Sequence, residues 1–315
     1  MIDLDIIVSF FVCFILFILS VIKGIFVGYA LIVGLTIFIL LSIKRGFAFK
    51  AIITMVYSGG RKSFIVLQIF VLIGAIISIW MASGTVPSIV YYGIKLLNPK
   101  LFILSAFLIS ALVSTLIGTS FGTIGTAGIA LMVMARGGGV SVPMTAGAII
   151  AGAYFGDRCS PMSSSANLIA NLTETNIYEN IKNMIKTSIV PLIISLILYG
   201  LISFRYPLEI GNSDMTTKIA RRFNTGLISL LPAILIFVFS ALRISVKISM
   251  LVSIITAAVI SIFVQKYSIT EVIKYILTGF SMQGDSYLKD IIKGGGILSM
   301  LKISLVVFVS SAFTG

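Results

Sequence analysis

The run LDIIVSFFVCFILFILSVI, residues 4–22, is followed after only Lys23 and Gly24 by IFVGYALIVGLTIFILLSI, residues 25–43. Each run matches the roughly 20 predominantly apolar residues that a helix needs to cross the hydrocarbon core of a bilayer. Two such runs parted by so short a step predict a tight helical hairpin. The first is not a secretory leader: Asp3 and Asp5 stand where a basic segment belongs, and the apolar run is too long. It is read as a retained helix.

The rest of the chain follows the same pattern. Of 315 residues 58% are hydrophobic and 10% charged, with a mean hydropathy of +1.16, whereas a soluble domain is about 45–50% apolar and about 25% charged. The sequence therefore predicts an all-α polytopic membrane protein, counted in helices rather than domains. The net charge of +13 lies between the apolar runs, as in Lys44, Arg45, Arg61 and Lys62, or Lys218, Arg221 and Arg222. That placement suits lipid headgroups and not a nucleic-acid face, which would interleave aromatic residues with the basic ones. Two cysteines form no disulfide framework, and without a histidine zinc, haem and Ser-His-Asp chemistry are disfavoured. No cofactor and no structural metal is expected.

Along the chain, residues 47–57 predict a short interfacial helix, and residues 64–82 a third span. Residues 101–136 hold a glycine-rich polar stretch, Gly118 to Gly128, between two apolar arms, and predict a re-entrant hairpin with its tip inside the membrane. Residues 142–172 predict one broken helix, interrupted from Gly156 to Asn167. An amphipathic segment at 177–186 precedes spans at 188–204, 224–242 and 246–265. A second amphipathic segment, 269–280, precedes a last span from 297. Gly59-Gly-Arg-Lys-Ser63 and Gly295-Gly-Ile-Leu-Ser299 share a spacing, and each follows two spans and an interfacial segment. With the hairpin re-entrant, five crossings separate the copies, so the second is inverted, as in many secondary transporters. The expected division is a first repeat over 1–205 and a second over 206–315.

The chemistry sits in the break. Of ten acidic residues, nine lie near the termini or between spans, and Asp157 alone falls at expected membrane depth. A charge there is costly unless it is used or paired. Arg158 is the structural alternative as an ion-pair partner, but neighbours i and i+1 do not face each other on a helix. A carboxylate that takes either a proton or a small cation exchanges the two if it faces each side of the membrane in turn. Sodium wants oxygen ligands, which interrupted helices supply. Ser160, Ser163, Ser164, Ser165 and Asn167 offer them in the break, and Thr119, Ser120, Thr123 and Thr126 at the hairpin tip. Any one of these hydroxyls alone is more readily a cap or packing contact. Gly118 and Gly122, like Gly152 and Gly156, have the spacing of helix-packing faces. Gly118-Thr-Ser120-Phe-Gly122 also fits a nucleophile elbow, but the strand-turn-helix context and the histidine base are both missing. Cys159 is expected to line a wetted cavity, while Cys13, amid Phe10, Phe11 and Phe14, is expected to be sealed.

The run Gly118-Thr-Ser-Phe-Gly-Thr-Ile-Gly-Thr126, followed by Ala146-Gly-Ala-Ile-Ile-Ala-Gly-Ala-Tyr-Phe-Gly-Asp157-Arg-Cys-Ser-Pro161, resembles the NhaC family of sodium:proton antiporters. Trp80-Met-Ala-Ser-Gly-Thr-Val-Pro87 with Tyr91-Tyr-Gly93, and Gly295-Gly-Ile-Leu-Ser-Met300, resemble further stretches of it. The resemblance implies a secondary antiporter of the ion transporter superfamily, with two inverted repeats that each contribute a hairpin and a broken helix. Two departures are visible. The family's usual second aspartate in the break is Ser164 here, with Ala166 for a threonine, and members usually continue beyond the span that begins at 297, so the second repeat is expected to be incomplete.

The expectation is thus a sodium:proton antiporter of a cell inner (plasma) membrane, with Asp157 as shared carrier and Ser160, Ser163, Ser164, Asn167, Thr119, Ser120 and Thr123 around it. Its partners would be sodium ions, protons and the lipid bilayer, with a homodimer left open. The alternatives are a proton- or sodium-coupled exchanger of organic acids or amino acids, and a non-transporting membrane fragment.

Overall fold

A computed structural model describes residues 4–163, 165–166, 169–170, 173–208, 213–242, 244–282 and 286–313. Among them regular structure is helical, apart from one isolated bridge between Phe280 and Gly294. Five helices are long and apolar enough to cross a membrane: Leu4–Ile22, Val27–Lys44, Pro99–Ile117, Ile177–Arg205 and Val246–Phe263. The number rises to seven if each of two bent helix pairs counts as one span. Their exposed surfaces are apolar, as with Phe10, Phe11 and Phe14, or Val190, Ile194 and Leu198. Such surfaces face lipid rather than water, so the chain is a multi-pass membrane protein.

Packing gathers the chain into two units, Met1–Val71 with Ser299–Gly315, and Leu72–Leu298. In the first, α1 (Leu4–Ile22) and α2 (Val27–Lys44) form the hairpin read from the opening runs. They are joined at Gly24, whose φ of +65° suits glycine. Lys44 Nζ meets Asp5 Oδ2 at 2.8 Å across the open end, an exposed pair whose attraction solvent screens. The amphipathic α3 (Phe49–Lys62) packs on α16 (Leu301–Phe313), and a Cβ on Gly60 would lie 2.8 Å from the Phe308 ring.

The second unit begins within α4 (Phe64–Ala82) and continues through α5 (Thr85–Leu96). Its centre is the pair α6 (Phe102–Ile117) and α9 (Val142–Arg158). A Cβ on Gly152 would overlap the Phe107 carbonyl, and one on Gly156 the Ala111 carbonyl. The expected helix-packing role of this glycine spacing is therefore observed: without side chains at 152 and 156 the two backbones touch, and Ser114 Oγ donates to the Ala153 carbonyl across the seam. Beside them runs α10 (Ile177–Arg205), where Tyr199 stacks on Phe107 at 5.2 Å and Ser203 Oγ accepts from Leu104 N at 2.8 Å. The amphipathic segment and the span expected separately at 177–186 and 188–204 are this one helix of 29 residues, about 43 Å long. Pro191 inside it removes one N–H without ending the helix, which membrane helices tolerate.

The span expected at 246–265 is α13 (Val246–Phe263), while the one expected at 224–242 is α12 (Leu227–Ala241), whose 15 residues reach a span's length only together with the bent helix before them. Trp80 Nε1 donates to Ser253 Oγ at 2.9 Å, which donates to the Pro232 carbonyl at 2.8 Å, so one hydroxyl ties α4, α12 and α13. The second amphipathic segment is α14 (Ile269–Thr278), opened by a full capping box between Ser268 and Glu271. Three short helices were not foreseen, α5, α11 (Ser213–Arg222) and α15 (Ser286–Ile291). The two copies of Gly-Gly-x-x-Ser differ in backbone: Gly59 and Gly60 lie inside α3, while Gly295 and Gly296 have φ of +74° and +87°. A Cβ on Gly295 would lie 2.5 Å from the Ser78 nitrogen, so there glycine is required by close approach to α4.

Candidate functional site

α6 ends because Gly118 adopts a left-handed conformation, φ +74°. Thr119 is extended and caps α7 (Ser120–Thr123), its Oγ1 accepting from Gly122 N at 3.4 Å. The helix then loosens into a π segment over Ile124–Gly128 before α8 (Ile129–Gly137). Isolated π turns recur at functional sites because they shift the backbone hydrogen-bond register. Glycine allows this one: a Cβ on Gly125 would lie 2.8 Å from Ile73 and one on Gly128 3.0 Å from Ile149. The polar stretch expected at the hairpin tip thus joins the helix ending at Ile117 to the helical segments over 120–137 through Gly118–Thr119.

α9 ends at Arg158, with Cys159 as its cap. Pro161 and Met162 form a turn, and helical backbone resumes at residues 165–166 and 169–170. The break expected after Gly156 is therefore present. It meets the hairpin tip, since a Cβ on Gly118 would lie 2.7 Å from Met162 Cβ and 2.8 Å from its carbonyl carbon. The two polar interruptions, more than forty residues apart in sequence, share one locus.

Around that contact the described candidates are mostly buried. Ser160, Ser163 and Thr123 are fully buried, Ser120 is 3% exposed, and Thr119 and Asp157 are half-buried. Ser160 Oγ accepts from Met162 N at 3.2 Å. Ser163 Oγ accepts from Ala166 N at 3.3 Å and lies 2.8 Å from Ser165 Oγ. Thr123 Oγ1 donates to the Thr119 carbonyl at 2.9 Å, and Thr126 Oγ1 to the Gly122 carbonyl at 2.7 Å. A hydroxyl that has given its proton to a carbonyl keeps its lone pairs for a cation. Ser164 and Asn167 lie outside the described residues.

Among the described residues the Asp157 carboxylate makes neither an ion pair nor a hydrogen bond, and the alternative pairing with Arg158 is not formed. The reason is geometric: adjacent positions on the last turn of α9 point in different directions, and Arg158 is exposed. No group of three or more His, Cys, Asp or Glu is found among the described residues. Any cation held here would rest on one carboxylate with neutral oxygens, a set that suits a hard monovalent ion.

Cys159 corrects one expectation. It is 7% exposed, while Cys13 is half-buried. Cys159 closes α9 where that helix is pressed against α6, whereas α1 buries none of its residues.

Sequence reasoning missed the π segment, which no residue pattern marks. It also missed the bond from Ser240 Oγ to the Leu116 carbonyl, which ties α12 to the last turn of α6 beside the tip.

Interrupted helices meeting inside a bundle with lipid-facing surfaces mark the class of polytopic α-helical membrane proteins. The sequence profile of the Na+/H+ antiporter family matches residues 2–166 and again 152–315, and the chain belongs to that family. It is 33% identical over 294 residues to the malate-2H(+)/Na(+)-lactate antiporter of Bacillus subtilis (strain 168), covering 91% of this chain and 62% of the relative. It is 32% identical over 244 residues to the Na(+)/H(+) antiporter NhaC of Alkalihalophilus pseudofirmus, covering 76% and 53%. It is 28% identical over 276 residues to the arginine/ornithine antiporter ArcD of Halobacterium salinarum, covering 85% and 56%. The chain spans about three fifths of the length of these relatives. No solved structure matches.

Proposed function

We propose that this chain carries sodium:proton antiport across a plasma membrane, with Asp157 taking a proton and a sodium ion alternately. The observation that carries the reading is the contact of Gly118 with Met162, which sets the tip hydroxyls of Thr119, Ser120 and Thr123 beside the break that holds Asp157, Ser160 and Ser163. A half-buried carboxylate that makes no ion pair among the described residues has two ways to lower its cost: bind a proton, or bind a cation whose remaining shell is neutral oxygen. The two exclude each other, so release of one toward either side favours capture of the other. Ser164 and Asn167 complete the proposed ligand set, and Ser164 in place of a second carboxylate lowers the negative charge of the site. In the inverted-repeat arrangement of 1–205 and 206–315, the hairpin and the broken helix belong to the first repeat.

Relatives named for malate, lactate, arginine and ornithine exchange make a coupled organic solute the second reading. The test uses proteoliposomes loaded with a pH-sensitive dye. Sodium addition should drive proton movement with the unaltered chain, and Asp157→Asn should abolish it while the protein still inserts. Exchange that appears only with malate, lactate or arginine present would favour the second reading. Unchanged exchange in Asp157→Asn would remove Asp157 from the mechanism.

A further inference from the structure

Away from the proposed ion site, the second unit holds a cavity of about 610 Å³ between the end of α8, the polar face of α14 and the crossing at Phe280 and Gly294. Three cations line it, Arg136, Lys274 and Lys293, with the hydroxyls of Thr278 and Ser281. Among the described residues the one carboxylate in its wall is Glu271, which is already engaged. It accepts from Ser268 N at 2.8 Å and from Ser268 Oγ at 2.9 Å, and those bonds hold its pKa below the ordinary glutamate value. Arg136 and Lys274 alone thus outnumber the carboxylate described in its wall.

Its walls are fixed. Phe280 and Gly294 exchange backbone hydrogen bonds of 3.0 Å in both directions, and the Phe280 ring is 2% exposed, 5.0 Å from Tyr275 and 6.2 Å from Tyr267. Gly279, at φ +101°, brings the two strands of this crossing together: a Cβ there would lie 2.6 Å from the Gly295 carbonyl oxygen.

The helix that supplies Lys274 shows what kind of anion would fit. Along α14, Val272 is buried, and Ile269, Ile273 and Leu277 are 63%, 53% and 44% exposed. Spaced i, i+4, i+8, they form one apolar stripe next to the polar face bearing Glu271, Lys274 and Thr278. A helix with an exposed apolar stripe beside a basic face is the geometry of one lying in the membrane interface. A free anion in water has no use for the stripe. We infer that this cavity binds the phosphate headgroup of an anionic phospholipid whose acyl chains lie along Ile269, Ile273 and Leu277. Basic pockets at an interface gain from such lipids through charge that salt screens. The inference is independent of the antiport reading.

The test uses the purified full chain in a neutral detergent and native mass spectrometry with three probes: phosphatidylglycerol, phosphatidylcholine of the same chain length, and glycerol phosphate without acyl chains. Phosphatidylglycerol should bind in preference to phosphatidylcholine. The double variant Lys274→Gln/Arg136→Gln should weaken it about thirtyfold, Lys274→Arg should retain it, and raised salt should reduce it. A circular dichroism melt of each variant checks that it is folded. Equal binding of the two lipids, or undiminished preference in the folded double variant, would overturn the inference. Glycerol phosphate competing as tightly as the lipid would overturn it in favour of a soluble anion.

Discussion

Two helix interruptions in the second unit, both opened by small polar residues, are resolved in opposite ways. Between α4 and α5 the chain breaks at Ser83-Gly84, with Gly84 at φ +78°. There Ser83 Oγ lies 2.8 Å from Thr85 Oγ1, and Gln265 Nε2 donates to the carbonyls of Ser83 and Asn224 at 3.0 and 3.1 Å. Gln265 Oε1 in turn accepts from Asn224 N at 3.1 Å. Only neutral groups are present and the freed backbone is taken up by one amide, although Ser88 further along α5 is buried without a partner among the described residues. After α9 the freed backbone is likewise capped by hydroxyls, but the break also carries a carboxylate that those hydroxyls do not reach. An interruption in a membrane bundle is thus not itself a sign of transport. What separates the two is a carboxylate at the second that makes no ion pair and no hydrogen bond among the described residues.

If that distinction is right, the two breaks should respond differently to mutation. The largest effect is expected beneath the charged break, where Gly156→Leu must force α9 from the backbone of α6. It should cost more than about 3 kcal/mol and yield no folded protein by size-exclusion chromatography, an expectation broken by a monodisperse, helical variant. Gln265→Leu should cost about 2–3 kcal/mol, from three lost hydrogen bonds of about 1 kcal/mol each, measured as a lower denaturation midpoint. Exchange per folded molecule should survive it, and loss of exchange at full stability would erase the contrast between the breaks. Ser163→Ala should change stability by about 1 kcal/mol or less, yet raise the sodium concentration for half-maximal exchange about tenfold through loss of one ligand to a charged group. An unchanged sodium dependence would confine Ser163 to capping.

The smallest effect belongs to the capping box of α14. Glu271 has a folded pKa below its ordinary value because Ser268 hydrogen-bonds its charged form. Its contribution is present above the unfolded pKa and lost as pH falls through the folded one. Glu271→Gln should therefore flatten a slight loss of thermal stability on acidification below about pH 4.5, and an identical acid profile in the variant would contradict it.

Much of this was legible in the sequence where one segment carried its own signal. The apolar runs gave α1 and α2, Gly152 and Gly156 gave the seam against α6, and the polar run after Gly156 gave the break. What stayed hidden depends on partners distant in the chain. The burial of Cys159 follows from how α9 is pressed on α6, and the role of Ser83-Gly84 from a glutamine some 180 residues away. α11 was missed because its SDMTTKIARR sequence is polar enough to read as a loop. The π segment was missed because a hydrogen-bond register leaves no compositional trace.

The central claim, that one carboxylate in the break takes a proton or a sodium ion and not both, is tested most directly without membranes. Sodium added to the purified protein in weakly buffered detergent should release a proton that a pH electrode or indicator dye records. The unaltered chain should give this release and folded Asp157→Asn should give none; equal release from both would remove Asp157 as the shared carrier.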